Sequence, residues 1–202
     1  MMSAVDGEKA VVFARAIIDQ HTHGKPIHQI PLPRSFEQHK GVFVTLHTYP
    51  DHDLRGCIGI PTPVMSLKDA LVEAATSATH DPRFPVLSSE ELDQVIVEVS
   101  ILSKPELIQV STPQQYPKHI TIGKHGLIVQ NGMYKGLLLP QVAVEQGWHK
   151  EEFLSHTCMK AGLTADAWFD RNTKIFSFTG QIFSEQKPRG EIKENTFDGQ
   201  SH

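Results

Sequence analysis

The segment GLIVQNGMYKGLLL, residues 126–139, sets Asn131 and Gly132 between two apolar arms. Asn-Gly is the strongest short-range hairpin signal, because both residues tolerate the positive φ that tight two-residue turns require. A chain built around such a hairpin contains antiparallel strands and needs other elements to cover the apolar face of their sheet. VIVEVSIL, residues 95–102, makes a second commitment of the same kind. Its period of two puts Val95, Val97, Val99 and Ile101 on one face, while Glu98 and Ser100 share the other with Ile96 and Leu102. GVFVTLHT (41–48), DLRGCIGI (53–60) and KIFSFTGQIF (174–183) read as further strands, the second short and interrupted by glycine.

Helical spacing appears in four places. Over residues 6–20, Ala10, Phe13, Ala14, Ile17 and Ile18 form one stripe, which Gly24 and Pro26 terminate. Residues 24–41, rich in Pro, His and Gln, read as a loop. SLKDALVEAATSATH (66–80) has Ser66 as N-cap, Asp69 in the first turn and Leu67, Leu71, Ala74 and Ala78 as its apolar stripe. Pro82 forbids its continuation. Pro140 suits the first position of a short helix carrying QVAVEQ. KEEFLSHTCMKAG (150–162) groups Phe153, Leu154, Thr157, Cys158 and Ala161 and stops at Gly162, so Cys158 is read as core. Beyond Glu185 the chain is polar and aperiodic, which predicts one domain over residues 1–185 and a flexible tail over 186–202. Strands outnumber helices and do not alternate with them regularly. The expected class is α+β, with mixed or antiparallel sheets flanked by helices.

The 202 residues suffice for one good core with a small subdomain. A net charge of -4 argues against nucleic acid or an anionic membrane as partner. No apolar run approaches the roughly 20 residues that span a bilayer, and the N-terminal segment lacks the basic start of a signal peptide. With 2 cysteines there is no disulfide framework. The expected location is the cytoplasm.

The chemistry concentrates in LRGCIG, Leu54 to Gly59. On a strand Arg55 and Cys57 share a face about 6–7 Å apart, with Leu54, Gly56, Ile58 and Ile60 toward the core. Gly56 and Gly59 leave backbone open to close approach by a ligand or another segment. A guanidinium beside a thiol favours the thiolate, so Cys57 reads as a nucleophile or soft metal ligand, or else as a small residue in a tightly packed strand. In HDPRFP two prolines hold Arg83, whose fixed guanidinium suits a carboxylate or phosphate, or ties the turn to a helix end. Glu98, in an apolar strand, needs a partner such as Arg55 or Arg83; otherwise it is a general acid or base. The histidine-rich stretches HTHG and His47, Asp51, His52, Asp53 match no fixed ligand geometry, and no metal site is expected.

These motifs, together with GVFVTL, DPRFP, VEVSIL, GKHGLIV, LLLPQVAVEQGW and KAGL, resemble the AMMECR family over residues of about 8 to 185, LRGCIG being its hallmark. The resemblance implies an α+β fold with a larger and a smaller part and a cleft beside the hexapeptide. It implies neither an activity nor a cofactor. It puts forward Arg55, Cys57, Arg83, His125 and Gln141 as site candidates, and Cys158 falls outside the shared pattern. It also implies an association with Memo-type proteins and radical S-adenosylmethionine enzymes. Two readings follow. In one, an enzyme uses Cys57 as nucleophile or ligand, Arg55 to hold an anionic substrate, and His125 to move protons. In the other, a non-catalytic module presents Arg55 and Arg83 to such a partner.

Overall fold

The computed structural model describes residues 2–27 and 30–195. His28 and Gln29 of the expected loop, and residues 196–202 of the expected tail, lie outside them. The chain forms an α+β fold of antiparallel strands flanked by helices and divides into two compact units. One comprises the described residues up to Leu102 together with those from Gln181 onward, and the other runs from Ser103 to Gly180.

In the first unit, α1 (Ala4–Thr22) begins at Ser3, whose Oγ accepts the Asp6 N–H at 3.1 Å. α2 (Leu67–Ala78) begins at Ser66, which accepts the Asp69 N–H at 3.2 Å. Each cap satisfies an amide that the helix itself leaves unpaired. β1 (Gly41–Thr48) pairs antiparallel with β2 (Leu54–Ile60) on one side and β3 (Val95–Leu102) on the other. The register places Val44 opposite Val99 and Leu46 opposite Val97. Those residues, with Val42, Val95 and Ile101, form a core with Phe13, Ala14 and Ile17 of α1 and Leu71, Ala74 and Ala75 of α2. The opposite face carries Thr45, Glu98 and Cys57 among Phe43, Ile96 and Leu102, so it mixes polar and apolar side chains. Leu54 departs from expectation: at the start of the edge strand it is exposed, while Ile58 and Ile60 pack against the core.

The second unit is built on β5 (His125–Asn131) and β6 (Tyr134–Leu138), with Asn131 opposite Tyr134. The hairpin is present, but its two loop residues are Gly132 and Met133, and Gly132 alone takes positive φ, at 57°. Glycine therefore occupies the first loop position, as tight hairpins permit, and Asn131 ends the strand. The short β4 (Glu106–Leu107) pairs with β7 (Lys174–Glu185), which also pairs with β5. α3 (Pro140–Glu145) and α4 (Lys150–Lys160) complete the unit, whose core includes Leu127, Val129, Phe153, Leu154, Ile175 and fully buried Cys158.

β7 runs out of the second unit into the first, where β8 (Ile192–Asn195) pairs with its end, Ile182 lying opposite Asn195. The expected tail is thus a strand over these residues. The reason is an anchored turn: Arg189, at φ 57°, is bonded to both Asp19 and Asp93 at 2.6 Å. Glu185 is buried, bound by Arg15 of α1, and accepts the Val97 N–H at 3.0 Å. Arg15 also donates to the Leu92 and Val95 carbonyls at 3.0 and 2.7 Å. Buried charges survive only when paired and hydrogen-bonded in this way.

Candidate functional site

Cys57 is half-buried at the middle of β2, directly opposite Thr45. The Thr45 Oγ1 hydroxyl donates to Cys57 Sγ at 3.3 Å. Thr45 in turn lies opposite Glu98 on β3. Neighbouring strands are about 5 Å apart, so thiol, hydroxyl and carboxylate stand in one row across three strands. Glu98 is half-buried, and Asn195 Nδ2 of β8 donates to its Oε2 at 3.4 Å.

The backbone of Cys57 faces outward from the sheet, and side chains from the α2–β3 connection meet it. Its N–H donates to Asp81 Oδ2 at 2.9 Å, and its carbonyl accepts from Arg83 Nη2 at 3.3 Å. Asp81 is 2% exposed and also accepts from the Arg83 backbone N–H and Nε, each at 3.0 Å, and from Nη2 at 2.6 Å. These donors, the Arg83 guanidinium first, hold the Asp81 carboxyl well below the usual carboxylate range. One carboxylate and one guanidinium thus replace the neighbouring strand that β2 lacks.

Burial pushes the Cys57 thiol above its ordinary value; the Thr45 hydrogen bond and the Arg83 charge pull it down, while Glu98 and Asp81 add to the rise. This corrects the expectation that Arg55 makes the thiolate. Arg55 is committed elsewhere: Nε and Nη2 donate to Glu91 Oε1 and Oε2 at 2.7 and 3.1 Å, a two-point grip. Among the described residues Arg55 is bound by Glu91 and Arg83 by Asp81, and Glu98 forms no ion pair with either arginine.

The two glycines admit different neighbours. A Cβ on Gly56 would lie 2.5 Å from the Ala78 carbonyl oxygen at the end of α2, so Gly56 lets the helix sit against the strand. A Cβ on Gly59 would enter the Phe43 ring, its neighbour across β1. Both close approaches are made by the protein's own segments.

His125 and Gln141 belong to the second unit and form no part of the row built from the first. His125 opens β5, its Nδ1 accepts the Thr121 N–H at 3.2 Å, and burial together with Lys124 lowers its pKa, favouring neutral imidazole. Gln141 is buried in α3, and its Oε1 has no hydrogen-bond partner among the described residues.

Sequence reasoning missed Asp81, Thr45 and Glu91. Two had signals. Asp-Pro-Arg has the spacing at which an aspartate accepts the N–H two residues on. Ser88 and Glu91 have the spacing of a capping box, and the Ser88 N–H does donate to Glu91 Oε2 at 2.9 Å. Thr45 depends on cross-strand register, which no local pattern specifies. Among the described residues no cluster of three or more His, Cys, Asp or Glu could hold a metal ion, and no helix is long and apolar enough to cross a membrane.

The AMMECR1 family model matches residues 11–183. The chain is 53% identical over 195 residues to a Methanocaldococcus jannaschii protein, covering 96% of this chain and 97% of the relative. It is 49% identical over 197 residues to a Methanocella arvoryzae protein, covering 96% and 98%. The crystal structure of an uncharacterised Pyrococcus horikoshii protein is similar, with a TM-score of 0.89 at 47% identity, covering 97% of this chain and 99% of that one.

Proposed function

The chain belongs to the AMMECR1 family, and we propose that its first unit carries a thiol site in which Cys57 acts on a small polar substrate. The observation behind this reading is the hydrogen bond from Thr45 to Cys57 Sγ in register with Glu98. Burial keeps the thiol protonated at neutral pH, so an attack by sulfur needs a proton acceptor. Solvent or a basic group of the substrate takes that proton, Thr45 steadies the sulfur as its charge develops, and Glu98, two strands away in the same row, tunes the thiol through its charge. Arg83 is fixed by Asp81 yet its side chain remains 55% exposed, so it can hold an anionic group of the substrate. Arg55, gripped by Glu91, serves the scaffold instead. His125 in this reading is a neutral acceptor in the second unit, and Gln141 a buried amide with an acceptor to offer.

Alkylation of Cys57 by iodoacetamide tests the coupling. Cys158 is fully buried and its thiol is pushed up to about 11, so Cys57 reacts first. Thr45→Val removes a hydrogen bond to the thiolate and slows Cys57 by roughly two- to tenfold. Glu98→Gln removes a repelling charge and speeds it. Equal protection of both cysteines, or no change in either variant, refutes the site.

A second reading rests on Arg83 itself. Its guanidinium lies 5.6 Å from the centre of the Phe84 ring, and nearby Val86 is 60% exposed. A rigid cation beside apolar surface suits docking to a protein partner, and a Memo-type protein or a radical S-adenosylmethionine enzyme would fill that role. Calorimetric titration with a Memo-type protein separates the readings: the module requires that Arg83→Ala weaken binding and Cys57→Ser leave it intact.

A further inference from the structure

The second unit holds a depression of about 620 Å³ lined by Asn131, Tyr134, Leu163, Asp166, Ala167 and Phe169, among others. That volume is in the range of small-ligand sites. Two aromatic rings that would ordinarily be covered stand open here: Tyr134 is 57% and Phe169 45% exposed. Their setting is fixed. Phe169 packs on buried Trp168 with ring centroids 3.7 Å apart, and Trp168 Nε1 donates to Ser155 Oγ at 3.2 Å. Asn131 Nδ2 donates to Thr173 Oγ1 at 3.0 Å. Gly162, at φ 77°, carries no side chain beside Tyr134, and a Cβ there would sit 3.7 Å from the ring.

The lining has one sign of charge. Asp166 and Asp170 both border it, and no lysine, arginine or histidine does. Asp170 is held by the Asn172 N–H at 2.9 Å and by Asn131. Asp166 is exposed and makes no side-chain capping bond to the short turn it precedes. Negative ring faces beside carboxylates attract cations, while Leu163 and Ala167 offer apolar contact to a hydrocarbon stem. We propose that this depression binds an alkyl cation, a guanidinium or ammonium group carried on an aliphatic stem, with the charge between Asp166 and the Phe169 and Tyr134 rings.

The test is an amide NMR titration of the full chain with N-acetyl-arginine amide and, separately, with its neutral isostere N-acetyl-citrulline amide. The arginine probe gives saturable shifts at Tyr134, Leu163 and Ala167, and the citrulline probe does not. Asp166→Asn and Phe169→Ala each weaken the arginine probe by about two- to fivefold. Absence of saturable shifts, an equal response to citrulline, or unchanged affinity in both variants overturns the proposal. Butylammonium identifies the source of the cation: tighter binding of the arginine probe assigns a protein side chain, and equal or tighter binding of butylammonium assigns a free amine.

Discussion

The Asp81 carboxylate lies against the open edge of β2, accepting the Cys57 N–H at 2.9 Å where a further strand would otherwise supply a carbonyl. Arg83, bound to the same carboxylate, returns a donor to the Cys57 carbonyl at 3.3 Å. An unpaired edge invites another strand. Here two side chains of one turn close it at the residue that carries the thiol, so the DPRFP and LRGCIG motifs form one structure.

Asp81 therefore contributes stability in a definite pH range. Its folded pKa is depressed, so the contribution is complete above the ordinary value of 3.8 and is lost as pH falls below it. Replacing Asp81 by Asn leaves the Arg83 guanidinium and the Cys57 amide poorly matched, at a cost of about 2–4 kcal/mol at pH 7. Urea unfolding should show that gap constant from pH 8 to pH 5 and narrowing at pH 3. A gap that persists unchanged at pH 3 would mean that the charge of Asp81 is not what matters.

Gly56 and Gly59 separate two kinds of close approach. Gly56→Ala drives a methyl into the Ala78 carbonyl, which cannot yield without moving α2, and should cost about 1–3 kcal/mol. Gly59→Ala meets the Phe43 side chain, at Cγ as well as the ring edge, so the half-buried ring must leave its rotamer, whereas no helix has to move. Part of that cost is offset by the lower entropy of the unfolded chain, worth about 0.4–1 kcal/mol. Thermal unfolding should rank Gly59→Ala below wild type and Gly56→Ala below both. The reverse order would show that the strand, and not the helix, is the rigid partner.

Local pattern made much of this fold legible. VIVEVSIL is a strand over the residues expected, with Val95, Val97 and Val99 in the core, and Ser66 caps α2 as its position implied. The α+β class followed from such elements. The same alternation would put Arg55 and Cys57 on one face, but the register shifts between Leu46 and His47, so Leu54 rather than Arg55 lies opposite His47 and the alternation breaks at Arg55. Arg55 reaches Glu91, 36 residues away in sequence, and Cys57 meets Thr45 through a register set by the whole sheet. β8 was illegible for a related reason. Its residues Ile192–Asn195 are few and, Ile192 apart, polar; Ile192 packs against the core, and the turn before it is anchored by Arg189, tied to Asp19 and Asp93, charges far away in the chain.

The assignment of Arg55 to the scaffold leads to the sharpest contrast between the two arginines. Arg55 and Glu91 form a two-point pair in which the arginine side chain is 11% and the glutamate side chain 33% exposed. Partial burial and bidentate geometry put the coupling at the upper end of surface pairs, about 1 kcal/mol in a double-mutant cycle of Arg55→Ala and Glu91→Ala. Because Arg55 is not among the charges that move the Cys57 thiol, Arg55→Ala should lower stability and leave the Cys57 alkylation rate near that of the wild type. Arg83 does act on the thiol, drawing its pKa down. Arg83→Ala should therefore slow alkylation at a fixed pH, since less of the thiol is ionised. Mass spectrometry of the labelled protein gives both rates from one time course. If Arg55→Ala slowed Cys57 more than Arg83→Ala did, the hexapeptide arginine would be the activating group after all and the scaffold assignment would be wrong.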